Sequence, residues 1–178
     1  GNIDKFTTVS CFGLAGATAV ILGKSIGEGA SRDRVYDLSW CLLIVSFLLG
    51  LILAGLLAVA LPTLFIPYLY PLFSLSPLAT RAAVMLCVVY LILLPLKSFD
   101  ISNITGVLRA GGDVRMATVI DLTPLWGVAV PVSALAALVF DAPLPVVCLG
   151  IYSENLCKMP WGIHRLRSRK WINDVTRR

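Results

Sequence analysis

Charge is what this chain has least of. Only 14% of its 178 residues are Asp, Glu, Lys or Arg, while 58% are hydrophobic. Soluble domains carry roughly 25% charged and 45–50% apolar residues, and the mean hydropathy of +0.88 departs in the same direction. Polar–apolar alternation with period two is also missing, which argues against an outer-membrane barrel. The apolar runs are instead continuous over about 20 residues, the length an α-helix needs to cross a bilayer. Histidine occurs once, as His164, among arginines at the end of the last apolar run. There it reads as a charged-face residue and not as a metal ligand. The five cysteines (Cys11, Cys41, Cys87, Cys148 and Cys157) form no CxxC pair and read as small, reduced residues packed against helices or lipid. With no HExxH, no nucleophile–base pair and no carboxylate pair on a common face, the sequence argues against an enzyme. No signal peptide is visible and the first residue is Gly1, not Met, so a fragment of a longer chain is expected.

What charge there is carries topology. The net charge is +5, yet the basic residues cluster at the ends of apolar runs, the mark of membrane orientation and not of nucleic-acid binding. We read five spans, at about 6–23, 39–61, 82–108, 116–140 and 143–163. Gly13, Ala15, Gly16 and Ala19 make the first a small-residue helix suited to close packing. Lys24, Arg32 and Arg34 mark the connection 23–34, Arg109 and Arg115 that around 109–115, and six Lys/Arg the tail 164–178. The positive-inside rule places all three in the cytoplasm. The uncharged segment 62–80 and the short link near 141–145 are then outside. Phe65, Tyr68, Tyr70 and Phe73, interspersed with Pro67 and Pro71, form an outer aromatic belt, and Arg81 is the one basic residue on the outer side. Five spans with a cytoplasmic tail put the first residue outside, which again suggests a missing preceding helix. The expected location is the plasma membrane, multi-pass.

The third span holds the chemistry. Its purely apolar part, 82–96, is 15 residues, roughly 22 Å of helix against a hydrocarbon core of ~30 Å. To cross, it must continue through Lys97, Ser98, Asp100, Ser102 and Asn103 toward Arg109. Charges at that depth cost at least ~2.5–3.5 kcal/mol and therefore face a bundle interior or a wet cavity. Lys97 and Asp100 are three apart and can pair on one face, which Asn103 continues. Pro95 kinks the helix and frees a carbonyl. The alternative is a span that ends at Leu96, followed by an interfacial polar helix. Asp121, five residues into the fourth span, either faces the same cavity or snorkels to the interface. Trp126 is either an aromatic wall for a flat substrate or ordinary helix packing, of which packing is the better reading. In "LRAGGDVR", Gly111 and Gly112 permit a tight turn, Asp113 can cap the fourth span, and Arg109 can anchor at headgroups.

The block "GVLRAGGDVRMATVIDLTPLWGVAVPVSAL" resembles the MATE (multidrug and toxic compound extrusion) transporters of the MOP flippase superfamily, in their helix 10–11 region. Gly106, Leu108, Arg109, Gly111, Gly112 and Asp113 match the family's turn, and Asp121, Trp126 and Pro131 its following helix. "GLAGATAVILGKSIGEG" resembles helix 8 with its cytoplasmic turn, and "SRKWINDV" the C-terminal tail. The resemblance implies an all-α integral membrane fold, with five transmembrane helices (8–12) forming most of the C-terminal lobe of a twelve-helix, two-lobe transporter. Helix 7 and the N-terminal lobe would be missing. It implies efflux of cationic amphipathic compounds in exchange for Na⁺ or H⁺, with no other cofactor. The implied partners are those substrates, the bilayer and the missing lobe. A family carboxylate in helix 10 aligns closer to Ser98 than to Asp100, and Asn103 fits a branch lacking it. The cavity candidates are thus Lys97, Asp100, Asn103 and Asp121. The turn motif (Gly106, Arg109, Gly111, Gly112, Asp113) is expected to be structural or gating. A lipid-linked precursor flippase of the same superfamily is the alternative, less favoured because only Lys97 offers an interior cation.

Overall fold

The computed structural model describes residues 2–69 and 77–173. All regular structure among them is helical. Helix α1 spans Asn2–Gly27 and α2 spans Arg32–Ala60, continuing without a break as a wider π-helical stretch, Leu61–Leu69. Helix α3 is Pro77–Ile101, extended by a second π-helical stretch, Ser102–Leu108. Then come α4, Val114–Pro124, a short π turn at Leu125–Ala129, and α5, Val130–Leu138. The last helix, α6, is Leu144–Arg167. Four rods among the described residues are long and apolar enough to cross a bilayer: Asp4–Gly27, Arg32–Tyr68, Pro77–Leu108 and Val114–Leu138. Helix α6 is long enough at 24 residues, about 36 Å at 1.5 Å per residue. Glu154, Lys158, His164, Arg165 and Arg167 make it the most charged of the five rods.

The second connection differs from its sequence reading. Residues 62–69 are helical and not loop, because π winding accommodates Pro67. Phe65 is half-buried there and Tyr68 is exposed. Tyr70, Pro71 and Phe73 of the expected aromatic belt lie outside the described residues. The turn between α1 and α2 is tight, with Gly29 at φ +76° and Ser31 capping α2 by accepting from the Arg34 amide.

Apolar and polar residues are distributed the opposite way to a water-soluble protein. Phe6, Val9, Val20, Val59 and Leu138 are each more than 60% exposed, while Thr18, Ser39, Ser46, Ser98, Ser102 and Asn103 are fully buried. In lipid the apolar outer face costs nothing, and polar side chains must turn inward to find partners. This pattern, with the four long apolar rods, identifies an all-α membrane protein.

Small residues decide where the helices touch, and of those expected on α1, Ala15 is fully buried. Gly13 and Gly16 of α1 face open space, whereas Cys11, Ala15, Thr18 and Leu22 form its buried stripe. The closest approaches use Gly50 and Gly106. A Cβ on Gly50 would lie 2.8 Å from the Cα of Pro95 and from the Ser98 side chain, and one on Gly106 would lie 3.0 Å from the Ala15 carbonyl. Helix α2 thus seats on α3, Ser98 donates to the Ser46 carbonyl at 2.8 Å, and α1 lies along Ser102–Leu108. Helix α6 closes the bundle against α3, α4 and α5.

Gly50→Val should therefore destabilise the bundle by about 1–3 kcal/mol, the usual cost of overpacking. Gly55→Val, one turn on with nothing within 4 Å, should be near neutral. Thermal unfolding in detergent compares the two, and equal effects would refute the packing assignment.

Candidate ion and substrate site

The π-helical winding of Ser102–Leu108 carries a polar seam into the bundle. Asp100 is 3% exposed and Asn103 is fully buried. Asn103 faces α6, where only a glycine fits: a Cβ on Gly162 would lie 2.7 Å from the Asn103 Nδ2. Both polar atoms of Asn103, the Asp100 Oδ2, the Ser102 Oγ and the Thr18 Oγ1 are buried without a hydrogen-bond partner among the described residues. Each such atom costs about 1–3 kcal/mol of lost solvation. A concentration of them in one place is a reason to look for function, as π-helical turns themselves often are.

One turn before Gly162 on α6 stands Lys158, 8% exposed. Its Nζ donates to the Asp121 Oδ1 at 2.9 Å and lies 3.3 Å from the Glu154 Oε2, within ion-pair range. The charges acting on Asp100 are those of Lys158, Glu154 and Asp121. Asp121 is thus drawn to the bundle by an ion pair, although its side chain stays 44% exposed.

Lys97 belongs elsewhere. The expected pairing with Asp100 does not form. Lys97 Nζ donates to Asp4 Oδ1 at 2.6 Å and to Thr8 Oγ1 at 3.0 Å, both on α1, and sits 5.2 Å from the centre of the Tyr90 ring. A lysine at this depth takes the partner that satisfies it most fully. Here α1 supplies two acceptors and α3 an aromatic face. This second polar centre edges a cavity of about 270 Å³, lined by Leu57, Phe65, Tyr90, Cys148 and Tyr152 with Asp4 as its carboxylate. Tyr90 and Tyr152 stand 6.0 Å apart with rings tilted at 49°, and Tyr90 shares a hydrogen bond with Thr7. Apolar walls and two tyrosines suit the apolar and aromatic part of an amphipathic cation, while the carboxylate of Asp4 is shared with Lys97.

The turn motif is a seat for the tail. Gly112 needs its left-handed φ of +83°. Gly111 needs to be glycine for another reason: a Cβ would lie 2.3 Å from the Trp171 ring. Trp171 is fully buried, donates from Nε1 to the Leu166 carbonyl at 3.0 Å, and is followed by an Asn173 amide that donates to the Gly111 carbonyl at 2.9 Å. Asp113 sits at the N-cap position of α4 but makes no side-chain cap. Its Oδ2 accepts instead from Arg165 Nε at 2.6 Å, a charge-assisted bond stronger than a neutral cap. Arg109 is exposed. Trp126 is 68% exposed, so the helix-packing reading does not hold among the described residues. No group of three His, Cys, Asp or Glu side chains is arranged to hold a metal ion among them, and His164 is exposed at the end of α6.

No family model matches the chain, and no solved structure does. Over 171 residues, 96% of its length, the chain is 27% identical to the uncharacterized transporter YisQ of Bacillus subtilis strain 168. It is a membrane protein with a transporter for a relative. The chain spans 36% of that relative's length.

Reading the sequence did not find Glu154, Lys158, the Asp4–Lys97 pair, the tyrosine cavity or Trp171. One signal was available: Glu154 and Lys158 are an i,i+4 pair inside a run long enough to span.

Gly111→Ala should detach Trp171 and destabilise the turn by about 2–4 kcal/mol. Trp171 fluorescence and unfolding temperature report it together. A neutral outcome would mean the tail is not seated on the turn.

Proposed function

We propose that the chain forms most of the C-terminal lobe, helices 8–12, of a MATE-type antiporter. On this reading the protein exports cationic amphipathic compounds across the plasma membrane in exchange for Na⁺ or H⁺, with the tail 164–178 in the cytoplasm. The observation that carries the reading is the pairing of two interior features: a tyrosine-lined cavity with a carboxylate, and a buried polar seam with unpartnered oxygens. The first suits the organic part of a cation and the second a small ion. The turn residues that resemble the family, and the transporter relative, support it. The substrate path would run between this lobe and a second one, so the chain would act as part of a larger protein.

A lipid-linked precursor flippase would present interior cations to a pyrophosphate. Lys158 adds a second interior lysine to Lys97, which favours that alternative. Both lysines, however, are held by carboxylates. Counted together, Asp4, Asp100, Asp121 and Glu154 outnumber Lys97 and Lys158 by four to two, which attracts cations and repels pyrophosphate.

The test is retention of a fluorescent cationic dye in cells expressing the full-length protein that contains this chain. The wild type should lower retention. Asp100→Asn, at equal membrane abundance, should lose most of that effect, and Tyr152→Ala should weaken it for bulky dyes. Lowered retention by both wild type and Asp100→Asn would keep efflux and move the coupling acid to another carboxylate. Absence of efflux for every dye tried would favour the flippase.

A further inference from the structure

The transport reading leaves open which ion is exchanged, and Lys158 bears on that choice. Two carboxylates lie against it, Asp121 on α4 and Glu154 on α6 itself, and Asp100, at the end of α3, is farther off but within reach of its charge. The remaining charged pair of the interior, Lys97 with Asp4 of α1, lies at the Tyr90 cavity. An ammonium has three N–H donors. One is taken by Asp121 at 2.9 Å and a second is within ion-pair range of Glu154 at 3.3 Å. The side chain is only 10% exposed. Asp100, 3% exposed, keeps an unpartnered Oδ2 within the field of the same ammonium. The carboxylates are spread around a lysine and are not gathered as a metal-holding group among the described residues.

We propose that Lys158 is a tethered cation. It fills, as part of the chain, the place that a monovalent inorganic ion would take among Asp100, Asp121 and Glu154. A second positive charge about 4 Å from the ammonium is disfavoured on the order of a thousandfold at an effective dielectric constant of ~20. Na⁺ is therefore kept out of this site while Lys158 stays charged and in place. Resting on the antiporter reading, this leaves the proton as the ion exchanged at this site. A proton from water adds to a carboxylate oxygen of the cluster, forming an O–H bond and weakening its hold on Lys158. Loss of that proton to the other side restores the ion pair, with the lysine an ammonium throughout.

The experiment uses the purified full-length protein in detergent, with thermal unfolding measured in NaCl, KCl, choline chloride and methylammonium chloride at equal ionic strength. Wild type should unfold at the same temperature in all four. Lys158→Ala should unfold at a lower temperature in choline and recover in methylammonium, whose small ammonium fits the space left by the side chain. Adding Asp121→Asn to Lys158→Ala should reduce that recovery. Specific stabilisation of the wild type by Na⁺ would overturn the proposal, and so would a Lys158→Ala variant that methylammonium does not rescue. If Lys158→Ala does not fold, the wild-type Na⁺ arm still decides, with Lys158→Met as the variant of similar length. In proteoliposomes, dye uptake driven by a pH gradient should be unchanged when Na⁺ is replaced by choline, and uptake driven by a Na⁺ gradient would overturn the proposal. Unfolding temperatures do not depend on any substrate, so the tethered cation and the efflux reading can each fail alone.

Discussion

The bundle depends on one constraint: a polar group on a membrane helix has no water to turn to at that depth. It must be satisfied by another helix, or left unsatisfied at a cost that only function justifies. The structure contains both cases. Ser39, Ser46, Thr118 and Ser133 return their hydroxyls to carbonyls of their own helix. Lys97 is held by a carboxylate of another helix, Asp4, and Lys158 by Asp121 of another helix and Glu154 of its own. Asp100 and Asn103, by contrast, retain unpartnered atoms while almost fully buried. The unsatisfied groups gather where α3 changes to π winding, and that concentration separates a site from ordinary packing.

Without a hydrophobic force between helices in lipid, close approach has to come from small residues. Glycine does this at several points among the described residues, Gly150 against Ser133 included. Gly50 receives Pro95, Gly106 receives α1, Gly162 receives Asn103 and Gly111 receives Trp171. Two of these, Gly106 and Gly162, flank the polar seam from opposite sides. They bring α1 and α6 close enough for Thr18, Asn103 and Lys158 to share one interior. A side chain at either glycine would push against Thr18 or Asn103, so both contacts are set by the lack of a Cβ.

Much of this was legible in the sequence where a local rule applied. A 15-residue apolar run is too short to span, which left either an interfacial helix or a span continuing through Asp100 and Asn103, and both residues are buried in the bundle. The glycines of the turn announced a tight reversal, which Gly112 makes with positive φ. What failed was whatever depended on a partner distant in sequence. Lys97 has Asp100 three residues away, yet it pairs with Asp4, 93 residues earlier. Asp113 has the spacing of a cap, yet Arg165 claims it from the end of α6. Gly13 and Gly16 look like a packing face, yet the buried stripe falls on the neighbouring residues, because periodicity does not say which side the bundle is on. Residues 62–69 read as a connection because prolines interrupt them, whereas a π helix tolerates the interruption.

The two interior features share α3. Tyr90 and Lys97 belong to the cavity end, Asp100 and Asn103 to the seam, and about 13 residues, roughly 20 Å of helix, separate Tyr90 from Asn103. Between them stands Pro95, locked against Gly50. A rigid rod fixed in its middle cannot respond at one end without consequence at the other. On the antiporter reading, a change at Asp100 would act, through the same helix, on the face that Tyr90 and Lys97 present to the cavity. Exchange between a proton at the seam and an organic cation at the tyrosines then needs no shared binding site. It needs only that α3 has two positions, and the π-helical stretch beyond Ile101 is the segment of that helix whose winding can change without breaking the rod.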